Sequence, residues 1–383
     1  MPELSQNLVF IGGGHSHAIA LNLWGKQPLA DVNVTLISNV RHTPYSGMLP
    51  GYIAGFYCFE EVHIDLEPLA KFARSRFVLD RAVGLDLDNR RVICGDRPPI
   101  PFDVVSIDIG STPATIATPG AADYAIPAKP VPQLLHHWSE LLDRVQAEPN
   151  RRWRLAVVGG GAGGVELILS MQARLWRLLP PGDRAALEFH LFQRGCELLP
   201  SHNPYVRTTL TRLLGDRGIH LHLGETVSGL TREGGAIALQ CASGFCVACD
   251  RVFWVTQASA PDWIARSGLA TDAAGFILVG DTLQSLSHPE VFATGDIATM
   301  QNHPRPKAGV FAVRQGPPLD RNLRLFLQNR PPQPFRPQTQ FLTLIGTGTG
   351  RAIASRGAFG CGPNRLLWRW KDRIDRKFMQ TFR

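Results

Sequence analysis

The 383-residue sequence predicts an α/β protein of two parallel-sheet domains, the first interrupted by the second, followed by a shorter C-terminal segment. Three observations predict it. The stretch "VFIGGGHSHAIAL", residues 9–21, reads as a buried strand, a glycine turn and a helix. The same plan returns in "LAVVGGGAGGVELILSM", residues 155–171. Later, "HPEVFATGDIATM" (288–300) ends a strand-like run on Gly295 and Asp296.

Composition bounds the reading. A hydrophobic content of 44% and a charged content of 19% describe a globular chain, and 37 Gly with 29 Pro suit many strand-to-helix turns. Nothing approaches 18 uninterrupted apolar residues, so no spanning helix is expected. The polar start, Met1 to Asn7, does not read as a signal peptide. Seven scattered cysteines, an odd number, point to a reducing compartment, and the expected location is cytoplasmic. The net charge of +8 comes with no nucleic-acid-binding module, so no nucleic-acid partner is expected. Much of the excess lies in residues 365–383, with seven Lys or Arg against two Asp.

In the first motif Gly12 and Gly14 occupy the first two positions of the G-x-G-x-x-G dinucleotide fingerprint, and His17 replaces the third glycine. In the second motif Gly159, Gly161 and Gly164 complete it. The first glycine makes the tight turn, the second lets a pyrophosphate approach the backbone, and the third lets helix and strand pack closely. Helix N–H groups then hold the phosphates. At the third position a side chain pushes the helix from the strand unless the imidazole fills a gap. His17 is therefore read as a packing or hydrogen-bonding residue of the turn, with a metal role beside His15 as the weaker alternative.

Asp296, after a strand and a glycine, is placed to bond ribityl hydroxyls or to reach the diphosphate of a flavin. The strand ends "VVSIDIGSTP" (104–113, with Gly110) and "VFWVTQASAP" (252–261) lie where the chain passes between domains. Together these features describe two Rossmann-like dinucleotide-binding domains, an FAD domain interrupted by an NAD(P) domain. The boundaries read as 1–118 and 263–335 for the FAD domain, 119–262 for the NAD(P)H domain, and 336–383 for the C-terminal segment.

The sequence resembles the two-dinucleotide-binding-domain flavoproteins of the pyridine nucleotide–disulfide oxidoreductase superfamily. Within them it is most similar to type II NADH dehydrogenases, and closer still to the flavoprotein module fused N-terminally to selenide, water dikinase. The residues carrying the closer match are "GGGHSH" (12–17), "HTPYSGMLPGYIAG" (42–55), "VHIDL" (62–66), "SIDIGSTP" (106–113), "GGGAGGVEL" (159–167), "HPRPKAGVFAVRQGP" (303–317) and "WRWKDRIDRKFM" (368–379).

The resemblance implies FAD at the first turn and NAD(P)H at the second. The strand "VNVTLIS" ends in Ser38 and Asn39, where an acid usually grips the adenosine ribose, so Ser38 is the expected, weaker ribose ligand. The strand "FHLFQRG" (189–195) carries Gln193 and Arg194 in place of the acid that selects NADH. A neutral residue beside an arginine leans toward NADPH; alternatively Arg194 is only a solvated charge. Glu166 is either a nicotinamide-side residue, as in related dehydrogenases, or a first-turn glutamate favoured by the helix dipole. Lys307 either stabilises the charge of a reduced flavin or is a surface lysine.

No cysteine pair follows the first turn, and Cys58 is alone. Cys246 and Cys249, with Cys241 upstream, read as small strand residues of a hairpin, with a zinc or redox site as the alternative. Type II dehydrogenases reduce quinone beside an A-Q-x-x-x-Q-Q helix. Here "GVFAVRQ" (309–315) keeps only Gln315 of its glutamines, with Val310 and Arg314 at the other two places. The reaction expected is hydride transfer from NAD(P)H to FAD and on to a quinone-like acceptor. An acceptor in selenium or sulfur metabolism, or a flavin-bound redox sensor, is the alternative. Leu367, Trp370, Ile374, Phe378 and Phe382 read as one apolar helical stripe amid basic residues, suited either to peripheral membrane contact through residues 365–383 or to packing on the flavin domain.

Overall fold

The computed structural model describes residues 5–113, 118–256 and 258–383. Gln257, within the second strand-end stretch, lies outside the described residues. Two five-stranded sheets organise the chain. The first runs Val291–Ala293, Val104–Ile107, Gln6–Ile11, Val32–Ser38, Ser75–Leu79, all pairs parallel. Its central strand is a nearly unbroken apolar run, with Leu8, Val9, Phe10 and Ile11 all buried. Such runs occur where helices or other elements cover both faces of a parallel sheet.

The second sheet runs Ala125–Pro127, Arg251–Trp254, Trp153–Val158, Leu187–Gln193, Ile219–Leu223, again all parallel. It draws only on residues between the fourth and fifth strands of the first, so one sheet is inserted into the other. Thr112–Pro113 pairs antiparallel with Ala258–Ser259 where the chain leaves and returns. In each sheet the glycine turn follows the central strand. The chain goes to one side from there and later returns on the other, so each turn lies at a topological switch point, where α/β sheets bind ligands.

The helix Gly309–Leu327 lies against the first-turn helix His15–Lys26. The approach is close: a Cβ on Gly316 would sit 2.6 Å from Cβ of Ile19. The Ser16 hydroxyl donates to the Ala312 carbonyl at 2.7 Å across the same contact.

A three-stranded antiparallel sheet, Thr343–Gly346, Ala352–Arg356 and Phe359–Asn364, leads to the C-terminal helix Arg365–Met379. Asn364 caps this helix, its Oδ1 accepting the Leu367 N–H at 2.8 Å. The stripe expected on it is corrected. Its inward residues are Lys371, Asp375 and Met379, while Leu366, Trp370 and Ile374 are 72%, 48% and 43% exposed. Leu367 and Phe378 are half-buried, and Phe382 lies beyond the helix in a short 3-10 turn.

The inward face carries a buried ion pair beside Trp368 and Phe378, which pack on the core. Lys371 Nζ donates to Asp375 Oδ2 at 2.7 Å and to the Gly47 carbonyl at 2.5 Å. Tyr57 and Glu61 hold the neighbouring face through Asp372 (2.8 Å) and Arg376 (2.5 Å). Polar and aromatic contacts to residues 45–61 together fix the rotation of the helix, and an apolar row faces outward.

Candidate functional site

At the first turn Gly12 has φ +92°, and a Cβ there would lie 2.3 Å from the Asp108 carbonyl oxygen. Only glycine tolerates both conditions. His17 is fully buried. Its Nδ1 lies 2.7 Å from the Gly12 carbonyl and its Nε2 lies 2.8 Å from Ser106 Oγ. A carbonyl can only accept, so Nδ1 carries the proton and Nε2 accepts from the serine. Burial drives the imidazole down to about 3, so it is neutral.

The second turn explains the substitution. A Cβ on Gly164 would sit 1.8 Å from the Gly159 carbonyl oxygen. Where the second turn closes by close packing, the first closes by an imidazole hydrogen bond to the corresponding carbonyl. His15 points elsewhere: its Nε2 accepts the Ser46 N–H at 3.4 Å, and its ring meets Tyr45 edge-on at 5.3 Å. Among the described residues no group of three His, Cys, Asp or Glu side chains could hold a metal ion.

Asp296 follows Gly295 (φ +69°) at the other wall of this crevice. Its Oδ2 accepts from Lys129 Nζ at 2.6 Å and from Ser111 Oγ at 3.3 Å. Gln315 is buried, and its Oε1 accepts the Gly295 N–H at 2.7 Å. That bond gives Gln315 a role in fixing the Gly-Asp turn. Gly110 has φ +71°, with nothing within 4 Å of where a Cβ would stand. Ser38 is buried, and its hydroxyl closes its own loop by donating to the Val40 carbonyl at 2.8 Å.

The second turn is open. Gly159 has φ +126°, no atom lies within 4 Å of a Cβ on Gly161, and the Ala162, Gly163 and Gly164 N–H groups have no acceptor among the described residues. Unpaired N–H groups at a helix start fit a diphosphate. Gln193 Oε1 accepts the Gly160 N–H at 3.1 Å, and Arg194 beside it is exposed. Glu166 accepts the Gly346 N–H at 2.6 Å, so it lies at the seam between the second domain and the C-terminal sheet. Burial raises its carboxyl to about 7, opposed by nearby Lys371 and by the Gly346 bond.

Lys307 Nζ donates to the Ala298 carbonyl at 2.7 Å and to Thr299 Oγ1 at 2.9 Å, and lies 3.9 Å from the centre of the Phe276 ring. Burial lowers its ammonium to about 8, while Asp272 and Asp296 oppose the shift. It shares a small cavity with Asp296, Phe311 and Gln315. A second cavity, of about 680 Å³, is mostly apolar and lies among Ile19, Val313, Arg314, Phe335 and Phe378. All seven cysteines are free, and Cys246–Cys249 form a hairpin strand paired with Ile237–Gln240 in the inserted domain.

Sequence reasoning missed four residues. Asp108 was legible in "SIDIG", as an acid at the end of a buried strand. Lys129 carried no signal, because its partner Asp296 is 167 residues away. Lys371 and Asp375, four apart, look like an ordinary surface pair until their burial is seen.

Known proteins share this architecture. The family model described as pyridine nucleotide-disulphide oxidoreductase matches residues 6–316. The demethylphylloquinone reductase of Synechocystis sp. is 25% identical over 296 residues, covering 74% of this chain and 70% of that one. The type II NADH:quinone oxidoreductase of Haemophilus influenzae is 24% identical over 298 residues, covering 69% and 65%. Among solved structures, the sulfide:quinone oxidoreductase of Aquifex aeolicus superposes with a TM-score of 0.80 at 18% identity, covering 99% of this chain and 91% of that one. NDH2 from Plasmodium falciparum, in complex with NADH, gives 0.80 at 14% identity, covering 99% and 97%.

Proposed function

The chain belongs to the pyridine nucleotide-disulphide oxidoreductase family, and from that premise we propose that it is an FAD-dependent NAD(P)H dehydrogenase delivering electrons to a quinone. The observation that carries the reading is the pair of turns. Each lies at the switch point of its own parallel sheet, and no cysteine pair stands in the segment that follows the first turn. The reading therefore includes no redox disulfide beside the first turn and takes a quinone as the acceptor.

The residues fit both cofactors: the two turns hold positive-φ glycines, the second exposes unpaired N–H groups, and Asp296 is fixed from two sides. Gly12, Gly14 and His17 shape the first turn, and Gly295 and Asp296 take the ribityl side. Gly159, Gly161 and Gly164 take the diphosphate of NAD(P)H, with Gln193 and Arg194 at its ribose. When bound, FAD would supply the hydride-accepting and two-electron-relay chemistry between NAD(P)H and the second acceptor. Lys307 holds positive charge beside Asp296. Glu166, on the helix that follows the second turn and with its carboxyl raised to about 7 by burial, is taken as the nicotinamide-side residue, able to exchange a proton near neutral pH.

The quinone reading draws on three supports. Two relatives are named for quinone or quinone-like substrates. The groove beside Arg314 and Phe378 is apolar with a cationic edge. The outward row Leu366, Trp370 and Ile374 is flanked by exposed Arg365, Arg369, Arg373 and Lys377, a pattern suited to the surface of an anionic membrane. No described helix is long and apolar enough to cross a membrane.

Anaerobic titration with NADPH and then NADH, following oxidised-flavin absorbance, tests the two-site reading. Bleaching, followed by recovery on adding a short-chain quinone, is the expected result. Bound flavin that neither nucleotide reduces would overturn the dehydrogenase reading and favour a sensor. Reduction without reoxidation by quinone would overturn the acceptor alone.

A further inference from the structure

The two dinucleotide turns differ in one respect that the fingerprint does not show. At the second, the first N–H groups of the helix are unpaired. At the first, a carboxylate is already there. Asp108 Oδ2 accepts the Ser16 N–H at 2.9 Å and the His17 N–H at 3.3 Å, while the Asp108 carbonyl accepts the Gly14 N–H at 3.1 Å. Of the helix's first three N–H groups, only that of His15 is left without an acceptor among the described residues.

The carboxyl also fills the space between the two glycines of the flavin crevice. A Cβ on Gly14 would lie 2.2 Å from its Cγ, and one on Gly295 would lie 2.3 Å from its Oδ1. Asp108 is 2% exposed. It therefore lies directly beneath the strip between the diphosphate turn and the ribityl-side Asp296. This placement rests on the reading that FAD occupies the first turn.

We propose that Asp108 binds one proton when FAD loads, so that flavin binding and proton uptake are coupled. A diphosphate brings about two negative charges to a buried site, and an ionised carboxylate beside them is costly at low dielectric. The charged and titratable groups around Asp108 offer no other relief. Asp296 is a second acid. Lys129 is engaged by Asp296 at 2.6 Å. His17 and His15 are held neutral, pushed down to about 3 and about 4 by burial. A protonated Asp108 keeps its bonds to Ser16 and His17 through Oδ2 and presents an O–H from Oδ1, which takes no backbone N–H. The proton comes from water, and no bond or electron is otherwise exchanged.

The resting state is poised for this. Burial pushes the carboxyl up to about 7, with Asp296 adding to the shift and the two N–H bonds opposing it. Loading raises it further. Below pH 7 the group is protonated in both states and affinity is flat. Above pH 7 the flavin-free protein has lost the proton and the loaded one keeps it, so Kd rises about tenfold per pH unit.

The test is isothermal titration of the full chain, reversibly freed of flavin, with FAD at pH 8 in two buffers of different ionisation enthalpy. Uptake of about one proton is expected, with Kd weakening about tenfold from pH 7.5 to 8.5. Asp108→Asn should bind FAD with neither uptake nor slope. Binding by the wild type without proton uptake at pH 8 overturns the inference, and this arm needs no variant to fold. Uptake seen only near pH 5–6 and lost in His15→Asn assigns the proton to His15 and overturns it too. No FAD binding at any pH overturns the FAD reading itself, and this inference with it.

Discussion

His17→Gly restores the full G-x-G-x-x-G spelling at the first turn. By motif logic it should repair the site; by the structure it should damage it. The substitution removes an imidazole with no exposed surface and orphans two buried groups, the Gly12 carbonyl and the Ser106 hydroxyl. Each orphan costs about 1–3 kcal/mol. A glycine near the start of the helix His15–Lys26 adds up to about 1 kcal/mol relative to alanine. The expected loss is about 2–7 kcal/mol, a large share of the roughly 5–15 kcal/mol that holds a folded domain.

Urea unfolding of the flavin-free chain reads this directly, and retained FAD after gel filtration reads its effect on the turn. A pH series adds an independent check. His17 is neutral when folded, at about 3, and titrates near 6.5 when unfolded. The unfolded state therefore binds the extra proton, and stability is lost as pH falls from 6.5 toward 3. At pH 5 the loss from this residue is about 2 kcal/mol. The glycine variant should lack that component. A variant as stable as the wild type, with tighter FAD and an unchanged acid slope, would refute the view of His17 as a built-in part of the turn.

Arg194→Glu should move the ratio of kcat/KM for NADPH over NADH toward NADH by roughly tenfold or more, since a carboxylate bonds the 2′-hydroxyl and repels a 2′-phosphate; an unchanged ratio would leave Arg194 as a solvated charge. Lys371→Met should destabilise the chain by about 3–5 kcal/mol in urea unfolding by leaving Asp375 buried and unpaired, and adding Asp375→Leu should recover most of it. A double variant no better than the single would show that the pair is held by more than mutual charge. Replacing Leu366, Trp370 and Ile374 together by Ser should weaken sedimentation with anionic liposomes by roughly tenfold or more while leaving FAD content intact. Equal sedimentation would remove the outward face of the helix as a membrane contact.

Much of this protein is legible in one dimension because its fold is written in local patterns. Strand, glycine turn and helix are contiguous in sequence, and the reasons for Gly12, Gly159 and Gly164 involve neighbours within a few residues or on the adjoining strand. The insertion of one parallel sheet into another follows from where the two turns and the Gly295–Asp296 pair fall along the chain. Gln193 and Arg194 were locatable for the same reason, as the end of a recognisable strand.

What only tertiary structure decided are the partners. Whether His17 breaks or completes its turn depends on Ser106, 89 residues away. Gln315, read as an acceptor-side residue, is bonded to the Gly295 N–H, and Glu166 reaches Gly346, 180 residues on. The C-terminal helix shows the point most plainly. Periodicity places its apolar residues but cannot say which face turns inward, because burying apolar area is worth only about 25 cal/mol per Å² and is not directional. Here a buried Lys371–Asp375 pair, bonded to Gly47, shares the inward face with Trp368 and Phe378, and Trp370 and Ile374 lie on the outside. Local sequence determined where the backbone turns; directional bonds between distant segments decided which side chains face the cofactors and which face solvent.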